Sequence, residues 1–137
     1  MKESIFENEF SETLIDLDKS IYSYRWKSTN SNMTPEQYKA EMIRHSDNLR
    51  QYKPQFVLVD FRESDFIIDP DLQSFVNETL FQSMLDVGTQ KLAVIQTEDY
   101  IMQLSIEQTV NEQKDSKYIT QYFSDIEEAQ KWFLSNE

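Results

Sequence analysis

The chain has 137 residues, about the size of one domain, which is enough to bury roughly 68–70% of the unfolded surface around one core without staples. It contains no cysteine, so disulfides, thiolate metal sites and cysteine nucleophiles are excluded, in keeping with a reducing compartment. Thirteen Lys+Arg stand against 25 Asp+Glu, a net charge of −12 that repels phosphate backbones and anionic lipid surfaces.

The basic residues form no cluster, so nucleic-acid binding is not expected. No stretch of about 18 apolar residues occurs, so an integral membrane protein is not expected either. The segment Met1–Glu7 has no apolar centre and no cleavage pattern, which argues against a signal peptide and for the cytoplasm. Glycine occurs once, at Gly88, which argues against the phosphate-cradling loops that need several.

Residues 1–11 read as a flexible extension. Residues 12–27 read as a β-hairpin: Leu14, Asp16 and then Ile21 to Trp26 alternate with β-branched and aromatic members, and Asp18-Lys19 lies between as a turn. After a polar loop at 28–32, Thr34-Pro35-Glu36-Gln37 opens a helix, with Thr34 as cap, Gln37 closing a capping box and Pro54 as the stop. Its apolar stripe is Tyr38, Met42, Leu49 and Tyr52.

Phe56-Val57-Leu58-Val59 runs unbroken into Asp60, the pattern of a strand buried on both faces. Asp69-Pro70-Asp71 opens a second helix, facing inward with Leu72, Phe75, Val76, Thr79 and Leu80 and ended by Gly88. Leu92 to Ile95 is the next buried strand. Thr97 is expected to cap a helix reaching about Glu112, Tyr118–Phe123 is a short strand, and Ser124-Asp125-Ile126-Glu127 opens a last helix carrying Ala129, Trp132 and Phe133. The expected fold is a single α/β domain over residues 1–137, a mixed sheet of about five strands with an N-terminal hairpin and four helices, in the order β-β-α-β-α-β-α-β-α.

Three stretches resemble the STAS-like family, the fold of the bacterial anti-sigma-factor antagonists, and among its members the STAS/SEC14-type branch of small stand-alone bacterial proteins. Phe56 to Phe61 is similar to the family's central strand ending in aspartate. Phe66-Ile67-Ile68-Asp69 is similar to the run entering its switch helix. Phe123 to Ala129, followed by Trp132, is similar to its closing strand-helix unit. The resemblance implies a regulatory role through a partner protein. The usual family members follow this aspartate with Ser-Ser-Gly and take a phosphate on the second serine. Here the run is Asp69-Pro70-Asp71-Leu72, with no hydroxyl at the switch and an aspartate in the phosphoserine's place.

The candidate site residues each have an ordinary role beside the functional one. Asp60, at the carboxyl end of a buried strand, can orient a polar ligand with Arg62, or cap its loop and pair with that arginine. Asp69 and Asp71 can hold a cation or imitate a phosphoserine, or simply cap the helix. His45, the single histidine, lies on the stripe of the first helix as a core residue would. Ser105 is a hydroxyl without a base. Phe81 and Leu85 fall opposite the inward face of the second helix: either they form an exposed interface patch, or the helix breaks near Phe81 and both turn inward.

These readings converge on a non-enzymatic regulatory or protein-interaction domain of STAS-like type that docks a partner through the helix beginning at Pro70. No catalytic residues, metal site or cofactor are expected. The alternative is a small-molecule or lipid-binding module of the same fold, and both a homodimer and a small apolar ligand remain open.

Overall fold

The computed structural model describes residues 2–112 and 117–135. Six strands form one sheet in sequential order: β1 (Lys2–Glu7), β2 (Ser11–Asp16), β3 (Ile21–Trp26), β4 (Phe56–Asp60), β5 (Lys91–Ile95) and β6 (Ile119–Phe123). The first two pairings are antiparallel and the last three parallel, so β3 joins a meander to a parallel half. The helices are α1 (Pro35–Tyr52), α2 (Pro70–Val76), α3 (Gln82–Val87), α4 (Tyr100–Asn111) and α5 (Ile126–Phe133). A π-helical turn, Asn77–Phe81, runs between α2 and α3 without a break.

Sequential strands joined by crossovers of one hand place their helices on one face. Accordingly α1 to α4 cover the face carrying Tyr22, Tyr24, Trp26, Val57, Val59, Leu92 and Val94. The opposite face of β4 and β5, with Phe56, Leu58, Ala93 and Ile95, packs against Ala129, Trp132 and Phe133 of α5. Cover on both faces explains why every residue of β4 and β5 is buried and why both strands lack polar alternation. Buried Lys91 donates from Nζ to the carbonyls of Trp132 (2.7 Å) and Ser135 (2.9 Å), neutralising the carboxyl end of α5.

The helix starts form as their sequences require. Thr34 Oγ1 accepts from Gln37 N (3.1 Å), and Gln37 Oε1 accepts from Thr34 N (2.8 Å). Asp69 Oδ1 accepts from Leu72 N and Asp125 Oδ1 from Glu128 N. Gly88 takes a φ of 80°, the left-handed geometry that ends α3.

Two expectations change. The segment expected as a flexible extension contains β1, which brings the strands to six. An edge strand meets water on most of its surface and so needs no apolar run, and Lys2, Glu3 and Ser4 are all exposed. Thr97 does not cap α4, the helix of the third crossover. Its hydroxyl accepts from Asp99 N (3.2 Å), and Asp99 is the cap, accepting from Met102 N (3.0 Å).

Candidate functional site

Strands β3 to β6 all point their carboxyl ends the same way, and the loops there gather most of the predicted site residues. At the end of β4 the buried Asp60 carboxylate is consumed by one partner. Oδ1 accepts from Arg62 N and Nε, both at 3.0 Å, and Oδ2 accepts from Arg62 Nη2 at 2.8 Å. This fork holds the guanidinium in its charged form, with the Asp60 hydrogen bonds raising the Arg62 pKa above its ordinary value. Asp60 therefore has the loop-capping, ion-pairing role, and Arg62 is offered to a neighbouring polar cleft.

That cleft, of about 370 Å³, is lined by Arg62, Gln96, Thr97, Glu98, Asp99 and Ser124. It brings the loop after β4 beside the start of α4. The loop itself is tied down. Buried Asn30 donates to Ser64 Oγ (2.7 Å) and accepts from Asp65 N (2.8 Å). Phe66 stacks on Tyr38 at 4.7 Å, and Tyr38 in turn on Trp26 at 5.7 Å. Asp69 is spent as a cap, whereas Asp71 is exposed and accepts no side-chain hydrogen bond among the described residues.

Behind this loop α2 and α4 lie side by side. Gln73 of α2 donates to Ile68 O (2.9 Å) and meets Gln108 of α4 (3.4 Å). One helical turn before Gln108 comes Leu104, and before that Ile101 and Tyr100. These three and Ile67 are exposed, Tyr100 to 77% and Ile101 to 56%. The other large apolar side chains exposed among the described residues are spread through the chain: Leu17 in the turn after β2, Ile43 on α1, Ile119 on β6 and Leu134 just past α5. Sequence reading missed the α4 face; the adjacent pair Tyr100-Ile101, opposite inward-facing Met102 and Ile106, was the available signal.

Phe81 does not belong to an exposed patch. It is 4% exposed, and Leu85 is half-buried against the core. The π turn inserts extra residue width, so the inward face rotates and both side chains come round. Asn77 Nδ2 and the hydroxyls of Thr79 and Ser83 donate to carbonyls four residues back, at 2.9, 2.5 and 2.7 Å, supplying bonds at the widened turn. Leu80, Phe81, Tyr24, Val59, Val94 and Ile106 help line an apolar cavity of about 20 Å³ there. Ligand pockets run to roughly 300–1,000 Å³.

His45 is completely buried on α1. Its ring stacks on Tyr24 at 3.8 Å, Nδ1 lies 2.7 Å from the Tyr22 hydroxyl, and Nε2 has no partner among the described residues. Burial and the adjacent Arg44 push its pKa well below the usual histidine value, so it is a neutral core group. Beside it lies a network that sequence reading did not detect. Glu41, also buried, accepts from Ser11 Oγ (2.6 Å), Asn8 Nδ2 (3.2 Å) and Arg44 Nη1 (2.5 Å). Arg44 covers the Phe6 ring at 3.7 Å. Ser105 is buried and donates to Met102 O (2.9 Å), which removes it as an accessible hydroxyl.

Among the described residues no group of three or more His, Asp or Glu could hold a metal ion, and no helix is long and apolar enough to cross a membrane. Comparison with protein-family models, with curated proteins and with solved structures returns no match.

Proposed function

We propose that this chain is a non-enzymatic regulatory or protein-interaction domain of STAS-like type, bacterial and cytoplasmic, that docks a partner protein through the helix opening at Pro70 and the adjoining α4. The observation that carries the reading is the exposure of Tyr100, Ile101 and Leu104 on one face of α4, with Ile67 exposed in the loop that enters α2. Apolar side chains scattered singly need no explanation, but contiguous ones mark interaction surfaces. The helix entry adds support. Asp71, where the resemblance puts the phosphoserine, stands in water with its charge uncommitted and carries about half the charge a phosphate would.

The rival reading, a small apolar or lipid ligand, has less behind it, because the apolar cavity of about 20 Å³ must open more than tenfold to reach the roughly 300 Å³ of a small ligand pocket. The test is recovery of partners from lysate by the parent chain and by Ile101→Arg/Leu104→Arg, with thermal unfolding measured on both. Loss of a specific partner at unchanged stability is the expected result. Identical recoveries would remove the docking reading.

A further inference from the structure

The chemistry around the exposed α4 face selects its partner. Residues 62–71 and 97–104 hold six carboxylates, Glu63, Asp65, Asp69, Asp71, Glu98 and Asp99, against the single cation Arg62. All six residues are exposed. Arg62 is already forked onto Asp60, so its charge is locally cancelled, and from β3 Arg25 reaches only Glu63 of the six, at 3.9 Å. The cleft containing Arg62, Glu98 and Asp99 shows that the two acidic stretches adjoin. The Gln73 bonds to Ile68 O and Gln108 join the start of α2 to α4, so the two acidic stretches introduce one packed helix pair.

A second copy of this chain would set these carboxylates against themselves, and an anionic membrane or a nucleic acid would meet the same repulsion. Tyr100, Ile101 and Leu104 follow i, i+1, i+4 spacing on an outward-facing helix surface, a shape suited to another protein element. Resting on the docking reading above, we infer that the face formed by Ile67, Tyr100, Ile101 and Leu104 within its carboxylate rim receives a basic, apolar-striped helical segment of a partner protein. Leucine-like side chains of that segment cover the α4 face, and its lysines and arginines meet Glu63, Asp65, Asp71 and Glu98. The charges steer and select, while the apolar contact holds.

The experiment titrates the full chain with three synthetic helical peptides of about 18 residues, five turns: Leu/Lys with one apolar stripe, Leu/Glu with the same stripe, and a Leu/Lys scramble without it. The striped Leu/Lys peptide should bind. Binding should weaken roughly tenfold in Ile101→Ser/Leu104→Ser, and roughly tenfold in Glu63→Gln/Asp65→Asn/Asp71→Asn/Glu98→Gln, which spares both capping aspartates. The same number of charges removed elsewhere, with Glu127→Gln/Glu128→Gln/Glu78→Gln/Asp86→Asn, should leave it within twofold. Equal binding of Leu/Glu or of the scramble, an equal loss from the remote variant, or a parent chain that dimerises through this face in sedimentation would each overturn the inference. If no peptide binds while the lysate partner still depends on Ile101 and Leu104, this inference falls and the docking reading stands. If the lysate partner is indifferent to those two residues, both fall.

Discussion

Where α1 crosses β2 and β3, the polar side chains Glu41, His45, Ser11 and Thr13 are buried; at the amino-terminal end of α4, apolar Tyr100, Ile101 and Leu104 stand in water, as does Ile67 in the loop before α2. Both regions invert the usual partition, but only one is compensated inside the chain. The buried corner offsets the desolvation of its charge with mutual bonds: Glu41 takes three side-chain donors, although Thr13 Oγ1, Arg44 Nε and His45 Nε2 have no partner among the described residues. The exposed face has no counterpart among the described residues. A buried polar cluster whose carboxylate finds its donors within the chain is architecture, whereas an apolar face left in water points outside the molecule.

The strongest blow to this contrast falls on the corner. Glu41→Ala strands Arg44 against Phe6 and leaves Ser11 and Asn8 without their acceptor. A buried pair broken on one side costs about 3–5 kcal/mol, and Arg44's partial contact with water puts the loss near the lower figure, about 3 kcal/mol in urea unfolding. A loss within about 0.5 kcal/mol would make the network decorative.

The next effect is one of pH. His45 meets Tyr22 and Tyr24 from β3 and feels the charge of Arg44 on its own helix. Its folded pKa lies below the unfolded value of 6.5, so the unfolded chain takes up the proton first. The stability from neutral His45 is therefore complete above pH 6.5 and is lost as pH falls, by at most about 1.4 kcal/mol per pH unit. Glu41 acts in the same direction lower down. Burial opposes its charge, but Arg44, Ser11 and Asn8 outweigh it, and that stability is lost only below about pH 4.5. Since His45 is the only histidine, His45→Gln should flatten unfolding free energy between pH 6.5 and 5. A slope that survives the substitution would assign it to the carboxylates.

At the other region the effects on folding shrink. Asp69→Ala removes the bond to Leu72 N and should cost about 1 kcal/mol, while Asp69→Asn should cost a few tenths. Asp71→Asn, which removes charge only, should cost about 0.3–1 kcal/mol, with any larger consequence confined to partner recovery. A large stability loss with unchanged partners would make Asp71 structural. Smallest of all, Ile101→Ser/Leu104→Ser should stay within about 0.5 kcal/mol in thermal unfolding. A loss above 1 kcal/mol would mean that these side chains pack within the fold, and the contrast between the regions would collapse.

Local chemistry announced itself in the residues. The unbroken runs at 56–59 and 92–95 are interior strands because cover on both faces leaves no polar positions. Thr34-Pro35-Glu36-Gln37 and Asp69-Pro70 open helices because their bonds close within four residues. At the candidate site the sequence located Asp60 at the end of a strand, Arg62 just beyond it and Asp69 and Asp71 at the next helix start, and the Asp60–Arg62 fork, two residues apart, was within its reach. What needed the tertiary structure were the outcomes that depend on a distant partner. Phe81 is turned inward by a π turn whose side-chain bonds no periodicity reveals. β1 exists because β2 offers an edge to a polar segment. Glu41 becomes a core residue only through Asn8 and Ser11, 33 and 30 positions away. Ile101 and Leu104 could equally have been buried, since helical spacing states which residues share a face but not whether another element covers it.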